Sequence, residues 1–161
     1  MEFRKTKPEE LDRVMALYDG ARAFMQANGN PNQWVGGYPQ RELIAGEIVR
    51  GNSYVCVEDG EIAAVFSLIV GEDPTYRVIY DGAWLNEESY GTVHRICVAK
   101  QGGGVGAACL QWCLERCGNI RIDTHRDNRA MQALVKKCGF TYCGRIHLAN
   151  GAERVAFQKM L

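Results

Sequence analysis

Val93 to Gly118, VHRICVAKQGGGVGAACLQWCLERCG, passes from an apolar stretch through a glycine-dense turn into a pattern with helical period. The order is that of a strand, a loop and a helix. Glycines let backbone N–H groups approach an anion closely, and the unpaired N–H groups that open the following helix add partial positive charge. Such a turn suits the phosphates of a cofactor, but a tight connection would use the same glycines. The neighbouring elements must decide.

Upstream, Phe3 to Lys7 alternates like a short strand, and Pro8-Glu9-Glu10 places proline and acids at the first turn of a helix. Leu11, Val14, Met15, Tyr18, Ala21 and Met25 share one face of that helix, and Asn28-Gly29 stops it. NGNPNQWVGGYP (28–39) is then a loop, in which Trp34 and Tyr38 serve either as a substrate wall or as anchors on the core. A second helix is expected over 41–50, with Leu43, Ile44, Ile48 and Val49 on its apolar stripe. Ser53 to Val57 and Glu61 to Val70 form a hairpin around Glu58-Asp59-Gly60. Residues 71–91 mix acids with Tyr76, Tyr80, Trp84 and Tyr90, which reads as a solvated β-excursion or as a surface for a cationic substrate. Downstream, Asn119 to Thr124 reads as a strand and Asn128 to Cys138 as a helix, and Thr141 to Leu148 with Arg154 to Met160 reads as a closing hairpin.

Length and charge narrow the classes. A chain of 161 residues is expected to form a single domain over 1–161 with its own core. Nineteen basic and nineteen acidic residues give a net charge of +0, which argues against nucleic acid or an anionic membrane as partner. No apolar run approaches the roughly 18 residues of a membrane span, and MEFRKTKPEELD lacks an apolar signal centre, so a cytoplasmic protein is expected. The seven cysteines are scattered through apolar patterns, as reduced core thiols are. Cys109, Cys113 and Cys117 recur every four residues, but one helix face cannot supply a tetrahedral ligand set, and no metal is expected.

Three chemistries compete for the glycine turn. A nucleotide-triphosphate loop needs lysine and a hydroxyl after its last glycine, where this chain has Ala107-Ala108. A dinucleotide fingerprint fits locally, through Gly102, Gly104, Ala107 and Asp123, but its fold continues through further parallel strand–helix units that this order does not offer. The third is a resemblance. Gln101-Gly102-Gly103-Gly104-Val105-Gly106 matches the Q/R-x-x-G-x-G/A signature, and IRIDT followed by Asn128, eleven residues before Gly139-Phe140, matches a second block. With the element order, these blocks resemble the GCN5-related N-acetyltransferases over nearly the whole chain.

That resemblance implies an α/β (α+β) fold: a mixed, mostly antiparallel sheet flanked by about four helices, in the order β-α-α-β-β-β-α-β-α-β-β. It also implies a transferase using acetyl-CoA on a primary amine of a small molecule or peptide. The cofactor would be held by Gln101, Gly102, Gly103, Gly104, Val105, Gly106 and Ala107 at its pyrophosphate, and by Ile96, Cys97 and Val98 along its pantetheine arm. Asn128 stands where the family has an asparagine facing that arm, and is also a helix N-cap. The family's usual tyrosine acid falls on Val135, with Cys138 and Tyr142 as substitutes. An acyl-CoA-binding sensor without turnover therefore remains an alternative, and a dinucleotide-binding oxidoreductase a more distant one.

Transfer to an amine needs the ammonium to lose a proton first. His94 is the preferred base, because a regular strand would put it on the face of Ile96 and Val98. His125 and Asp123 follow. Trp34, Tyr38, Tyr80 and Trp84 are the expected substrate contacts, and Arg129, Lys136 and Lys137 are possible partners for an outer phosphate. Whether the chain pairs as a homodimer is left open.

Overall fold

The computed structural model describes residues 1–161. Its elements are β1 (Glu2–Lys5), α1 (Leu11–Ala27), α2 (Arg41–Val49), β2 (Ser53–Glu58), β3 (Glu61–Val70), β4 (Gly91–Val98), α3 (Val105–Cys117), β5 (Asn119–Thr124), α4 (Arg129–Lys137), β6 (Thr141–His147) and β7 (Glu153–Met160). This is the expected order. Short 3-10 turns at Pro8–Glu10 and Pro74–Tyr76 add to it.

Seven strands form one sheet in the order β1-β2-β3-β4-β5-β7-β6. Every neighbouring pair is antiparallel except β4 and β5, which run parallel. Their ladder covers only Gly91–Thr92 against Ile120–Arg121. Beyond it the strands part, so the β5-facing edge of β4 from Val93 onward has no ladder partner. This opening positions the site.

The sheet is covered on both faces. Tyr54, Phe66, Leu68 and Val93 pack with Cys109, Leu110, Cys113 and Leu114 of α3 and with Val135 of α4. On the opposite face, Val55, Val65 and Cys97 pack with Val14 and Tyr18 of α1 and with Ile44 and Ile48 of α2. A buried leucine or phenylalanine of this kind contributes about 1.5–3 kcal/mol by leaving water. The β2–β3 hairpin turns at Asp59 and Gly60, both with positive φ (52° and 77°), as a tight two-residue turn demands.

Three expectations need correction. Val49 does not join the apolar stripe of α2; at the last helical position it is 84% exposed. Residues 71–91 are not a β-excursion. Apart from the 3-10 turn at Pro74–Tyr76 and a single bridge between Tyr80 and Arg145 they are irregular up to the start of β4 at Gly91, and they fold onto β6 and β7 through Tyr76, Tyr90, Ile146 and Ala156. Arg121 lies over the rings of Trp84 and Tyr90, at 4.3 and 4.2 Å from their centroids, and helps fasten this segment.

The third correction bears on chemistry. β4 is not regular, because Ser67 pairs with His94 and Val65 with Cys97, so two residues, Arg95 and Ile96, oppose Phe66 alone. This is a β-bulge, and Arg95 takes the left-handed conformation (φ 55°) at its centre. The bulge shifts the alternation by one. Ile96 and Val98 pack toward α3, whereas His94, opposite Ser67, faces the side of α1 and α2. His94 therefore does not share a face with Ile96 and Val98.

Arg95 is held in this uncommon conformation by bonds on the α2 side. Its guanidinium donates to Tyr38 Oη (3.0 Å), Ser67 Oγ (3.2 Å) and Glu47 Oε2 (3.3 Å), and Glu47 is itself buried. Arg50 also reaches Glu47, at 2.6 Å. Arg95→Met leaves buried Glu47 and Ser67 and half-buried Tyr38 short of a donor while Arg50 still neutralises Glu47, so a loss of about 2 kcal/mol is expected. Urea unfolding at neutral pH measures it.

Candidate active site

Two cavities meet where β4 and β5 part, and both are lined by Met25, Ile96, Asn128 and Met131. The first, of about 390 Å³, lies between β4, β5 and the 28–39 loop. The second, of about 320 Å³, lies between β4, the glycine turn and α4.

The second cavity gathers every residue expected at the cofactor: Ile96, Cys97 and Val98, Gln101 through Ala107, and Asn128. Gly104 is the N-cap of α3 with φ 78°, a conformation that glycine adopts without strain, and no side chain caps the helix there. The opening N–H groups of α3 are thus left for a ligand. Gly106 lies close to α4, since a Cβ there would sit 3.0 Å from Leu134 Cδ2 and require that side chain to shift. Lys100 and Lys137 stand at this cavity, while Arg129 and Lys136 do not. The donor set suits a pyrophosphate, and the apolar wall of Ile96, Val98, Met131 and Leu134 suits an uncharged arm.

Asn128 is the N-cap of α4: its Oδ1 accepts from Met131 N at 3.0 Å, and its Nδ2 donates to Gln33 Oε1 at 2.9 Å. The same residue thereby ties α4 to the 28–39 loop. Arg22 holds the other end of that loop by donating to the carbonyls of Tyr38 (2.9 Å) and Gly37 (3.2 Å). Trp34 and Tyr38 are consequently fixed, and both line the first cavity. Trp34 is also core, packed against Tyr18, so it anchors the loop while lining the cavity.

His94 and Asp123 meet in the first cavity. His94 Nε2 lies 3.2 Å from Asp73 Oδ2. Burial works against ionisation of Asp73, but hydrogen bonds from His94 and from the hydroxyl and N–H of Thr75 bring its carboxyl down to about 2. Asp123 accepts the Tyr76 hydroxyl proton at 2.6 Å. Burial raises the Asp123 carboxyl above its usual range against that bond. Burial and then the charge of Asp123 raise the Tyr76 phenol in turn, so the phenol keeps its proton and donates.

Several expected residues lie elsewhere. His125 lines neither cavity; its Nδ1 accepts from Asp127 N at 3.0 Å, and burial followed by Arg154 lowers its pKa. Tyr80 stacks on His147 and is 44% exposed, and Trp84 packs on Tyr76, both outside the cavities. Val135 is core, and neither Cys138 nor Tyr142 lines a cavity. Conversely, Asp73, Thr75, Arg95 and Arg154 line the first cavity without having been foreseen. Asp73-Pro74-Thr75 did carry a local signal, an acidic cap before a proline. Arg154 carried none.

A model of the acetyltransferase (GNAT) family matches residues 14–140. The uncharacterized N-acetyltransferase YesJ of Bacillus subtilis (strain 168) is 26% identical over 145 residues, covering 84% of this chain and 79% of that protein. A GNAT-family acetyltransferase structure from Streptococcus agalactiae 2603 superposes with a TM-score of 0.92 at 36% identity, over 99% of this chain and 95% of that one. The yncA structure from Salmonella typhimurium, solved with its cofactor acetyl-CoA, has a TM-score of 0.67 at 16% identity, over 100% and 94% of the two chains, a likeness of fold.

The His94–Asp73 contact sets an acid dependence. Because the folded carboxyl is held near 2, below its ordinary 3.8, its stabilisation is complete above about pH 4 and disappears as pH falls toward 2. Asp73→Asn should cost about 1 kcal/mol at neutral pH, after allowance for solvent screening, and nothing near pH 2. Urea midpoints of both proteins across this range provide the comparison.

Proposed function

The chain belongs to the acetyltransferase (GNAT) family and acts as an N-acetyltransferase, with acetyl-CoA as donor; from that premise we propose that it moves the acetyl group directly to a primary amine of a small molecule or peptide bound in the first cavity. The observation that supports this reading is the junction of the two cavities at Ile96. One cavity offers N–H groups for a pyrophosphate and the other offers carboxylates and an imidazole for an ammonium.

Acetyl-CoA supplies an activated thioester carbonyl. Gln101 through Ala107 bind its pyrophosphate through loop and helix N–H groups, and the unpaired edge of β4 at Ile96 to Val98 pairs with its arm. Free main-chain N–H groups of that strand edge near Val98 would stabilise the charge that develops on the carbonyl oxygen. Asp123 receives the ammonium of the acceptor. His94, oriented by Asp73, takes the proton, so the neutral amine attacks. No side chain need protonate the departing sulfur, since a thiol with a pKa of about 8.5 is a tolerable leaving group near neutrality. The conformation of Arg95 helps this assignment, because the bulge turns His94 away from the α3 face and toward Asp73.

Isothermal titration with acetyl-CoA tests the cofactor half. Micromolar binding is expected, reduced at least about tenfold by Gly104→Glu, which forces a side chain into a left-handed position and brings a carboxylate to the anion loop. Absence of binding at millimolar cofactor removes the reading. Free-thiol release across an amine panel tests the other half. His94→Ala should lower kcat about 10²–10⁴-fold at unchanged cofactor affinity and abolish the acid limb of the pH–rate profile. A profile that keeps its shape excludes His94 as base.

A further inference from the structure

The acceptor cavity contains one cation that forms no ion pair or hydrogen bond with its carboxylates. Arg154 is buried, 7% exposed, and lines the first cavity. Its Nη1 donates to Glu153 O (3.0 Å) and its Nη2 to Gln33 O (3.2 Å), both main-chain carbonyls. No carboxylate oxygen lies within 4.0 Å of its guanidinium. The other guanidinium on the cavity wall, that of Arg95, meets Glu47 at 3.3 Å, and His94 contacts Asp73 at 3.2 Å.

A guanidinium stays charged even when burial pulls its pKa down, and carrying that charge out of water is costly unless an anion meets it. Two of its five N–H donors are used. The nearest complement in the fold is Asp123. Asp123 pairs with Ala156 across β5 and β7, and Arg154 precedes Ala156 by two residues, so the two are diagonal neighbours on one face of the sheet. Such neighbours have Cα atoms about 7–8 Å apart. Asp123 is bonded instead to Tyr76, leaving carboxylate and guanidinium side by side on the wall without an ion pair.

We infer that the acceptor carries a carboxylate close to its amine, as an amino acid does, with Arg154 receiving the carboxylate and Asp123 the ammonium. This rests on the acyl-transfer reading above and narrows it. The pair orients such a molecule, since reversal would set carboxylate against Asp123 and ammonium against Arg154. With the ammonium at Asp123, His94 on the facing strand lies beside the proton to be removed. The remaining wall, with Trp34, Val35 and Ile122, offers an apolar surface to a side chain, and about 390 Å³ is room for a molecule of amino-acid size.

The test is thiol release by the acetyl-CoA-saturated protein with the common amino acids, each beside its carboxamide and its decarboxylated amine. Calorimetric binding of the same compounds to the protein holding CoA accompanies it. At least one amino acid should exceed both analogues in kcat/KM by about thirtyfold, the worth of a charge-assisted hydrogen bond. Arg154→Gln should bring the acid-to-carboxamide ratio close to one, chiefly through KM, and Arg154→Lys should restore part of it; cofactor affinity reports whether each variant is folded. Decarboxylated amines turned over as well as the acids, or an Arg154→Gln loss equal for acid and carboxamide, overturn the assignment. If no compound releases thiol, direct acetyl transfer fails instead, and preferential binding of amino acids over carboxamides then decides the role of Arg154.

Discussion

The structure depends on the end of one ladder. β4 and β5 pair for two residues and then separate, although both continue. Main-chain groups cannot remain without partners away from water at no cost, so the exposed edge of β4 must meet solvent or a ligand. The helices follow from this. α3 and α4 stand on one side of the opening and α1 with the 28–39 loop on the other, and along β4 the lining passes from the first cavity at Val93 to Arg95, through Ile96, which borders both, to the second at Cys97 and Val98. A regular strand fully paired to β5 would close the space in which donor and acceptor meet.

Around that opening, polar groups are matched in pairs whose members come from distant parts of the chain. Glu47 of α2 answers Arg95, Asp73 of the irregular segment answers His94, and Tyr76 answers Asp123. Each pairing orients a group that a solvated side chain would leave mobile. The segment 71–91, without regular structure, is thereby made part of the site: its aromatic residues bury themselves against β6 and β7, and its polar residues are carried to β4 and β5. Arg154 is the exception, and its charge gives the acceptor cavity a direction.

The glycine turn illustrates how far a local pattern goes. Gly102, Gly104 and Ala107 satisfy a dinucleotide fingerprint as well as a pyrophosphate loop. What separates the two is the surrounding sheet, which is antiparallel at every pairing but one and offers no run of parallel strands. The hairpin signal at Asp59-Gly60 already pointed this way, because a two-residue turn forces antiparallel pairing.

The order of elements, the loop at 101–107 and the capping role of Asn128 were determined by the sequence itself, since each rests on neighbours a few residues apart: glycine at positive φ, an amide at an N-cap, apolar residues at one period. The contents of the acceptor cavity were decided only by tertiary structure. His94 finds Asp73, Asp123 finds Tyr76 and Arg154 stands diagonal to Asp123 because a sheet brings together residues far apart in the chain. One extra residue at Arg95 reversed the face that strand periodicity assigned to His94. Periodicity counts residues along a strand, whereas a bulge is set by what the strand pairs with and by the bonds that hold it there.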